Sequence, residues 1–137
     1  MKLCSACLLG LHCRYDGKGM PDEKVKEMGE QEILIPLCPE QLGGLPTPRP
    51  PAEIRDGRVM TEDGRDVTEV FIRGAREVLE LARMYGIREA VLKQNSPSCG
   101  CGRVYDGTFS GRLIDGEGIT SKLLKENGIL VISEEDL

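Results

Sequence analysis

Four short apolar runs constrain the fold of this chain more than any other feature. Residues 1–6, 33–37, 90–92 and 129–132 are nearly continuous in apolar character rather than alternating. Strands covered by helices on both faces read this way, because neither side of the pleat meets water. The segments between them carry helical spacing. Val67, Val70, Phe71, Ala75, Val78, Leu81, Ala82 and Tyr85 share one face of a helix. Asp66 and Glu69 stand in capping-box positions at its start, and Gly86 is placed to stop it. Shorter helices are predicted over residues 22–31 and 119–127, the second running out at Gly128. Asp56-Gly57 and Asp106-Gly107 read as two-residue hairpin turns, whose flanks are too polar for central strands.

The order strand, helix, strand, hairpin, helix, strand, hairpin, helix, strand predicts an α/β fold. It is expected to be a Rossmann-like sandwich with a four-stranded, mainly parallel sheet, helices on both faces, small β-hairpin insertions and right-handed crossovers. A chain of 137 residues supports one such domain, spanning residues 1–137. In an open parallel sheet the carboxyl ends of neighbouring strands converge on one crevice, where ligands bind. Three of the six cysteines lie just beyond strands. Cys7 follows the first, Cys38 the second and Cys99 the third. Their sulfurs are expected to meet within a few ångströms, an arrangement suited to a metal or cluster with one position open. No secretory leader precedes the first strand, so a cytoplasmic location is expected, where cysteines serve metals or catalysis more than disulfides. No apolar run approaches the roughly 18 residues that a membrane span requires. A net charge of −5, no Trp and two Phe argue against a nucleic-acid polymer as partner.

The remaining reactive residues carry competing readings. Cys4 and Cys7 form Cys-Ser-Ala-Cys, but Cys4 lies inside a strand and reads as a buried apolar residue rather than half of a redox pair. Cys13 stands in the loop after Cys7. Cys101 follows Cys99 closely enough that Cys4, Cys7, Cys99 and Cys101 form a conceivable tetrahedral zinc set, although Cys-x-Cys fits zinc knuckles poorly. His12, the single histidine, reads as a solvated loop residue. Glu40, two residues after Cys38, can act as acid and base if burial raises its pKa; the alternative is a solvated loop carboxylate. Arg14, Tyr15, Asp16, Arg49 and Lys93 flank the expected crevice and suit a heterocyclic ligand. Against that, 14–16 reads equally as a turn and Arg49 as a brace for the Pro-rich loop at 43–51. Glu134-Glu135-Asp136 reads as a solvated tail.

Together, Ser5-Ala6-Cys7-Leu8-Leu9-Gly10 with Arg14-Tyr15-Asp16-Gly17, Cys38-Pro39-Glu40 with Gly43-Gly44 and Pro48-Arg49-Pro50-Pro51, and Lys93 with Ser96-Pro97-Ser98-Cys99-Gly100 closely resemble one family. It is the domain-of-unknown-function 523 family, which includes the TudS-like thiouracil desulfidases. The resemblance spans essentially the whole chain. It implies an oxygen-sensitive [4Fe-4S] cluster, readily lost in air, on Cys7, Cys38 and Cys99, with the fourth iron open to the sulfur of a small thiolated base. It further implies Glu40 as the acid/base carboxylate and Ser96 or Ser98 as a catalytic serine. The expected activity is hydrolytic release of sulfide from a base such as 2- or 4-thiouracil, by a monomer or homodimer with no membrane partner. A non-catalytic iron–sulfur or zinc module is the competing reading. Glu40 and the serines favour the enzyme, since a storage site has no use for an acid/base group beside its ligands.

Overall fold

Residues 1–137 are described by a computed structural model. The chain runs β1 (Lys2–Ser5), a 3-10 turn (Ala6–Leu9), α1 (Glu23–Gln31), β2 (Leu34–Leu37), α2 (Pro39–Leu42), β3 (Ala52–Arg55), β4 (Arg58–Thr61), α3 (Thr68–Tyr85), β5 (Glu89–Leu92), β6 (Arg103–Tyr105), β7 (Leu113–Asp115), α4 (Ile119–Glu126), β8 (Leu130–Ser133) and a closing 3-10 turn (Glu134–Asp136). The main sheet has the order β2-β1-β5-β8 and is parallel throughout. Alternation along each strand sorts side chains between two layers. Leu3, Ala90, Leu92 and Val131 pack with Val78, Ala82 and Leu124 of α3 and α4. Cys4 and Val91 face the other way, onto Leu8 and Val25 beside α1. Because both faces are covered, the strand interiors are apolar and the polar residues Lys2, Ser5, Glu89 and Ser133 stand at strand ends, which is the pattern visible in the sequence. From β1 the chain moves outward to β2 on one side and later returns to β5 on the other. That reversal opens a crevice beyond the carboxyl ends of β1 and β5, the usual ligand position in such sheets.

Two local expectations need correction. The long helix begins at Thr68 with Val67 as an uncapped N-terminal residue, so the box between Asp66 and Glu69 does not form. Asp66 instead accepts the Thr68 N–H at 2.9 Å and pairs with Arg58. Bonds from the Thr68 side chain and backbone hold its carboxyl down at about 2. The second hairpin is not a two-residue turn either. Asp56-Gly57 does close β3–β4, both residues at positive φ. Between β6 and β7, however, residues 106–112 form a longer loop. Asp106 there takes the Thr108 N–H and hydroxyl, while the Gly107 N–H reaches the buried Glu53 carboxylate at 3.0 Å. The dipeptide therefore starts a loop docked onto β3.

Helix α3 seats the second cysteine motif. A Cβ on Gly74 would stand 1.9 Å from the Pro39 carbonyl oxygen, so the helix can lie this close to α2 only without a side chain there. Alanine favours a helix interior by up to about 1 kcal/mol over glycine. Here the clash with backbone wins. Gly74→Ala is expected to lower unfolding stability by about 1–3 kcal/mol, the usual cost of overpacking, read from the urea midpoint. A variant as stable as the parent would show that α2 shifts freely.

Candidate active site

Each of the three cysteines beyond a strand is brought to the crevice by a different local device. Ser5 ends β1, and the tight 3-10 turn that follows places Cys7 against the cavity. Cys38 is the N-terminal flanking residue of α2, with Pro39 pre-set for the first helical position. Cys99 is carried by a turn organised around Ser96, whose Oγ accepts the Ser98 and Cys99 N–H groups at 3.1 and 3.0 Å. Gly100 closes that turn where a Cβ would lie 2.6 Å from the Arg103 carbonyl oxygen. The resulting cavity has a volume of about 420 Å³, and Cys7, Cys13, Cys38 and Cys99 all line it.

Cys7, Cys13 and Cys99 are buried and Cys38 partly so, and the thiols lie close to one another. The Cys38 thiol meets the Cys13 thiol and lies 3.7 Å from the Cys13 carbonyl oxygen. That hydrogen bond, then burial, pushes the Cys38 pKa far up. Burial pushes Cys99 up to about 12, offset in part by the Ser5 hydroxyl. For Cys13, the bond to Cys38 pulls downward, but Cys7 and burial prevail and raise it. Such thiols become ligands when a cation displaces their protons. No three His, Cys, Asp or Glu side chains are spaced to hold one metal ion. Three thiols from separate segments around an open space instead suit a cluster, which takes each thiolate on a different iron. The zinc set does not assemble. Cys4 is fully buried beside α1, its pKa pushed up to about 12. Cys101 points toward the Val131 carbonyl at 3.3 Å and packs on the opposite layer.

Glu40 sits in the first turn of α2, where the free backbone N–H groups favour an anion. It lines the cavity, largely buried, with Oε1 accepting the Arg49 Nε–H at 3.1 Å. Burial raises its pKa, and Arg49 pulls back. It is not a solvated loop carboxylate. Arg49 itself is only 3 % exposed in its side chain. Its other N–H groups reach the Pro46 and Cys13 carbonyl oxygens and the Thr47 hydroxyl at 2.9–3.2 Å. Thus Arg49 reaches the cavity, but its donors are already engaged in bracing the Pro-rich loop and Glu40.

Arg14, Tyr15 and Lys93 also line the cavity. The Arg14 guanidinium lies 5.6 Å from the Tyr15 ring centre. Asp16 does not belong to that wall. Its carboxylate accepts the Lys18 N–H at 3.0 Å, closing the turn at Gly17. Of the two serines, Ser96 faces the cavity and Ser98 lies behind it. The Ser98 side chain is fully buried against the Thr120 hydroxyl at 2.7 Å. Several wall residues escaped the sequence reading. Gln94 clamps the turn by bonding both the N–H and C=O of Cys101. Asn95 takes a positive φ of 73°, and Phe109 enters from the 106–112 loop, also at positive φ. Asparagine's tolerance of the left-handed region was a usable signal for Asn95; nothing local marks Phe109. Glu134 and its neighbours are not a free tail, since Glu134 binds Lys93 and Gln94.

Comparisons with known proteins converge on one kind of relative. The family described as 2-thiouracil desulfurase matches residues 3–136. A solved structure described as the [4Fe-4S]-dependent thiouracil desulfidase TudS is 48 % identical, with a TM-score of 0.93 over 99 % of this chain and 91 % of that one. The uncharacterized protein YbbK of Bacillus subtilis (strain 168) is 44 % identical over 147 residues, covering 100 % of this chain and 97 % of its own.

Proposed function

The chain belongs to the 2-thiouracil desulfurase family, and we propose that it hydrolyses the carbon–sulfur bond of a small thiolated base of the 2- or 4-thiouracil type. A [4Fe-4S] cluster on Cys7, Cys38 and Cys99 is the cofactor that this reading requires, and the donor set accommodates it. The observation that carries the proposal is Glu40: a buried carboxylate two residues from a thiol ligand, facing the same cavity and held at one oxygen by Arg49. A binding module would need the thiols but not this group.

When bound, the cluster supplies an iron without a protein ligand, a Lewis acid that polarises the carbon–sulfur bond. The chain supplies the proton chemistry. Arg49 engages Oε1 of Glu40 and leaves Oε2 to accept a proton from water attacking the ring carbon. The same carboxyl returns that proton as the bond to sulfur breaks. The Ser96 Oγ already accepts two backbone N–H groups, so its own O–H is directed outward as a donor. In the cavity it serves to hold water or a ring heteroatom in line with Glu40. Arg14, Tyr15 and Lys93 address the ring edge and face. Exchange of sulfur for oxygen is a hydrolysis and consumes no electrons.

The test uses protein purified and assayed without oxygen. A broad brown absorption, about four irons per chain and release of one sulfide per thiouracil consumed are expected. An intact cluster that consumes no thiolated base would overturn the proposal in favour of a binding module. No helix of the chain is long and apolar enough to cross a membrane.

A further inference from the structure

The closing acidic turn at Glu134–Asp136 is tied into the cavity rather than extended into solvent. Ser133 and Asp136 cap it reciprocally, fixing its direction as it leaves β8. Glu134 is then turned inward, with only 10 % of its side chain exposed. Its Oε2 meets the Lys93 Nζ at 2.8 Å, and its Oε1 accepts the Gln94 N–H at 2.7 Å. Glu135 reaches the same segment one step removed. It pairs with Arg103 at 2.9 Å, and the Arg103 Nε donates to the Asn95 Oδ1 at 2.9 Å. Lys93, Gln94 and Asn95 all line the cavity. Lys93 is further anchored through its backbone N–H to the Ser5 hydroxyl at 2.9 Å.

We propose that Glu134 is a positioning residue for substrate: it holds Lys93 in one rotamer so that the ammonium meets the ring edge of the thiolated base. The inference rests on the desulfidase reading for what the ring edge is, and on the geometry alone for the clamp. A free lysine side chain samples many rotamers, and fixing one costs conformational entropy. Glu134 meets that cost before substrate arrives, and its second oxygen fixes the backbone from which the lysine springs. The pair is mostly buried, so solvent screens it less than it would a surface ion pair. Glu40, Glu53 and Glu62 also line the cavity, and an unclamped Lys93 would have acidic alternatives to pair with.

Glu134→Gln retains an acceptor for the Gln94 N–H and removes the charge that holds Lys93. In cluster-loaded, anaerobic protein we expect KM for 2-thiouracil to rise about ten-fold with kcat within about two-fold, because binding in ground and transition states is lost alike. Iron content and unfolding midpoint should match the parent. Trace acylation with acetic anhydride, read by mass spectrometry, should label Lys93 several-fold faster in the variant. Glu135→Gln should leave Lys93 labelling unchanged. Equal Lys93 labelling in Glu134→Gln and parent protein would overturn the clamp. So would an unchanged KM, or a fall in kcat and iron content together. If the parent turns over no thiouracil while the labelling difference stands, the desulfidase reading fails and the clamp survives.

Discussion

Glu40→Gln is expected to lower turnover of thiouracil by about 10²–10⁴, the range spanned by a positioned general acid/base. The substitution isolates the proton. Glutamine has nearly the same shape, and its Oε1 can still accept the Arg49 Nε–H that now holds the carboxylate at 3.1 Å. The first turn of α2 continues to pack beneath α3, so the backbone that carries Cys38 has no reason to move. Iron content and visible absorption should therefore equal those of the parent, and KM should change little. Near-normal turnover with a full cluster would remove Glu40 from the reaction. Loss of iron along with turnover would instead make Glu40 part of the cluster seat.

Most of the fold was legible because both sheet faces are covered, so each strand appears as an unbroken apolar run and each long helix as a periodic one. What remained illegible depends on contacts between distant segments. Asp106-Gly107 carries the same turn chemistry as Asp56-Gly57. Its fate is decided by Glu53, a residue on another strand that takes the Gly107 N–H. The site divides along the same line. Cys7, Cys38, Cys99 and Glu40 were readable because strand ends in a parallel sheet converge, whatever the loops do. Asp16 and Arg49 were expected beside the substrate, with a turn and a loop brace as their competing readings, and Ser98 shared the candidate catalytic role with Ser96. Asp16 closes the turn onto the Lys18 N–H and Arg49 braces the Pro-rich loop, as the competing readings had it. Ser98, by contrast, is held by the Thr120 hydroxyl, a distant partner that no local pattern reveals. The acidic end misled for a different reason. Charge runs are usually solvated, and only the reciprocal cap between Ser133 and Asp136 turns Glu134 inward.

Cys38→Ser is expected to abolish cluster and activity together, with iron per chain falling well below four and desulfidation dropping by at least about 10², since ligand loss removes the cofactor itself. This position allows an unusually direct reading. Cys38 occupies the N-terminal flanking position of α2, with extended backbone angles and no side-chain cap bond. Serine is among the residues preferred there, because its hydroxyl can accept a free N–H of the first turn. The fold should therefore be as stable as in the parent or slightly more so, and a matching unfolding midpoint would assign the loss to ligation rather than to misfolding. Cys13 supplies the control. Its thiol lies against that of Cys38 on the cavity wall, yet it is absent from the proposed ligand set. Cys13→Ser should keep about four irons and most of the turnover. The reverse pattern, iron retained in Cys38→Ser and lost in Cys13→Ser, would transfer the ligand role to Cys13. The cluster would then be held by two thiols of the first loop, Cys7 and Cys13, together with Cys99.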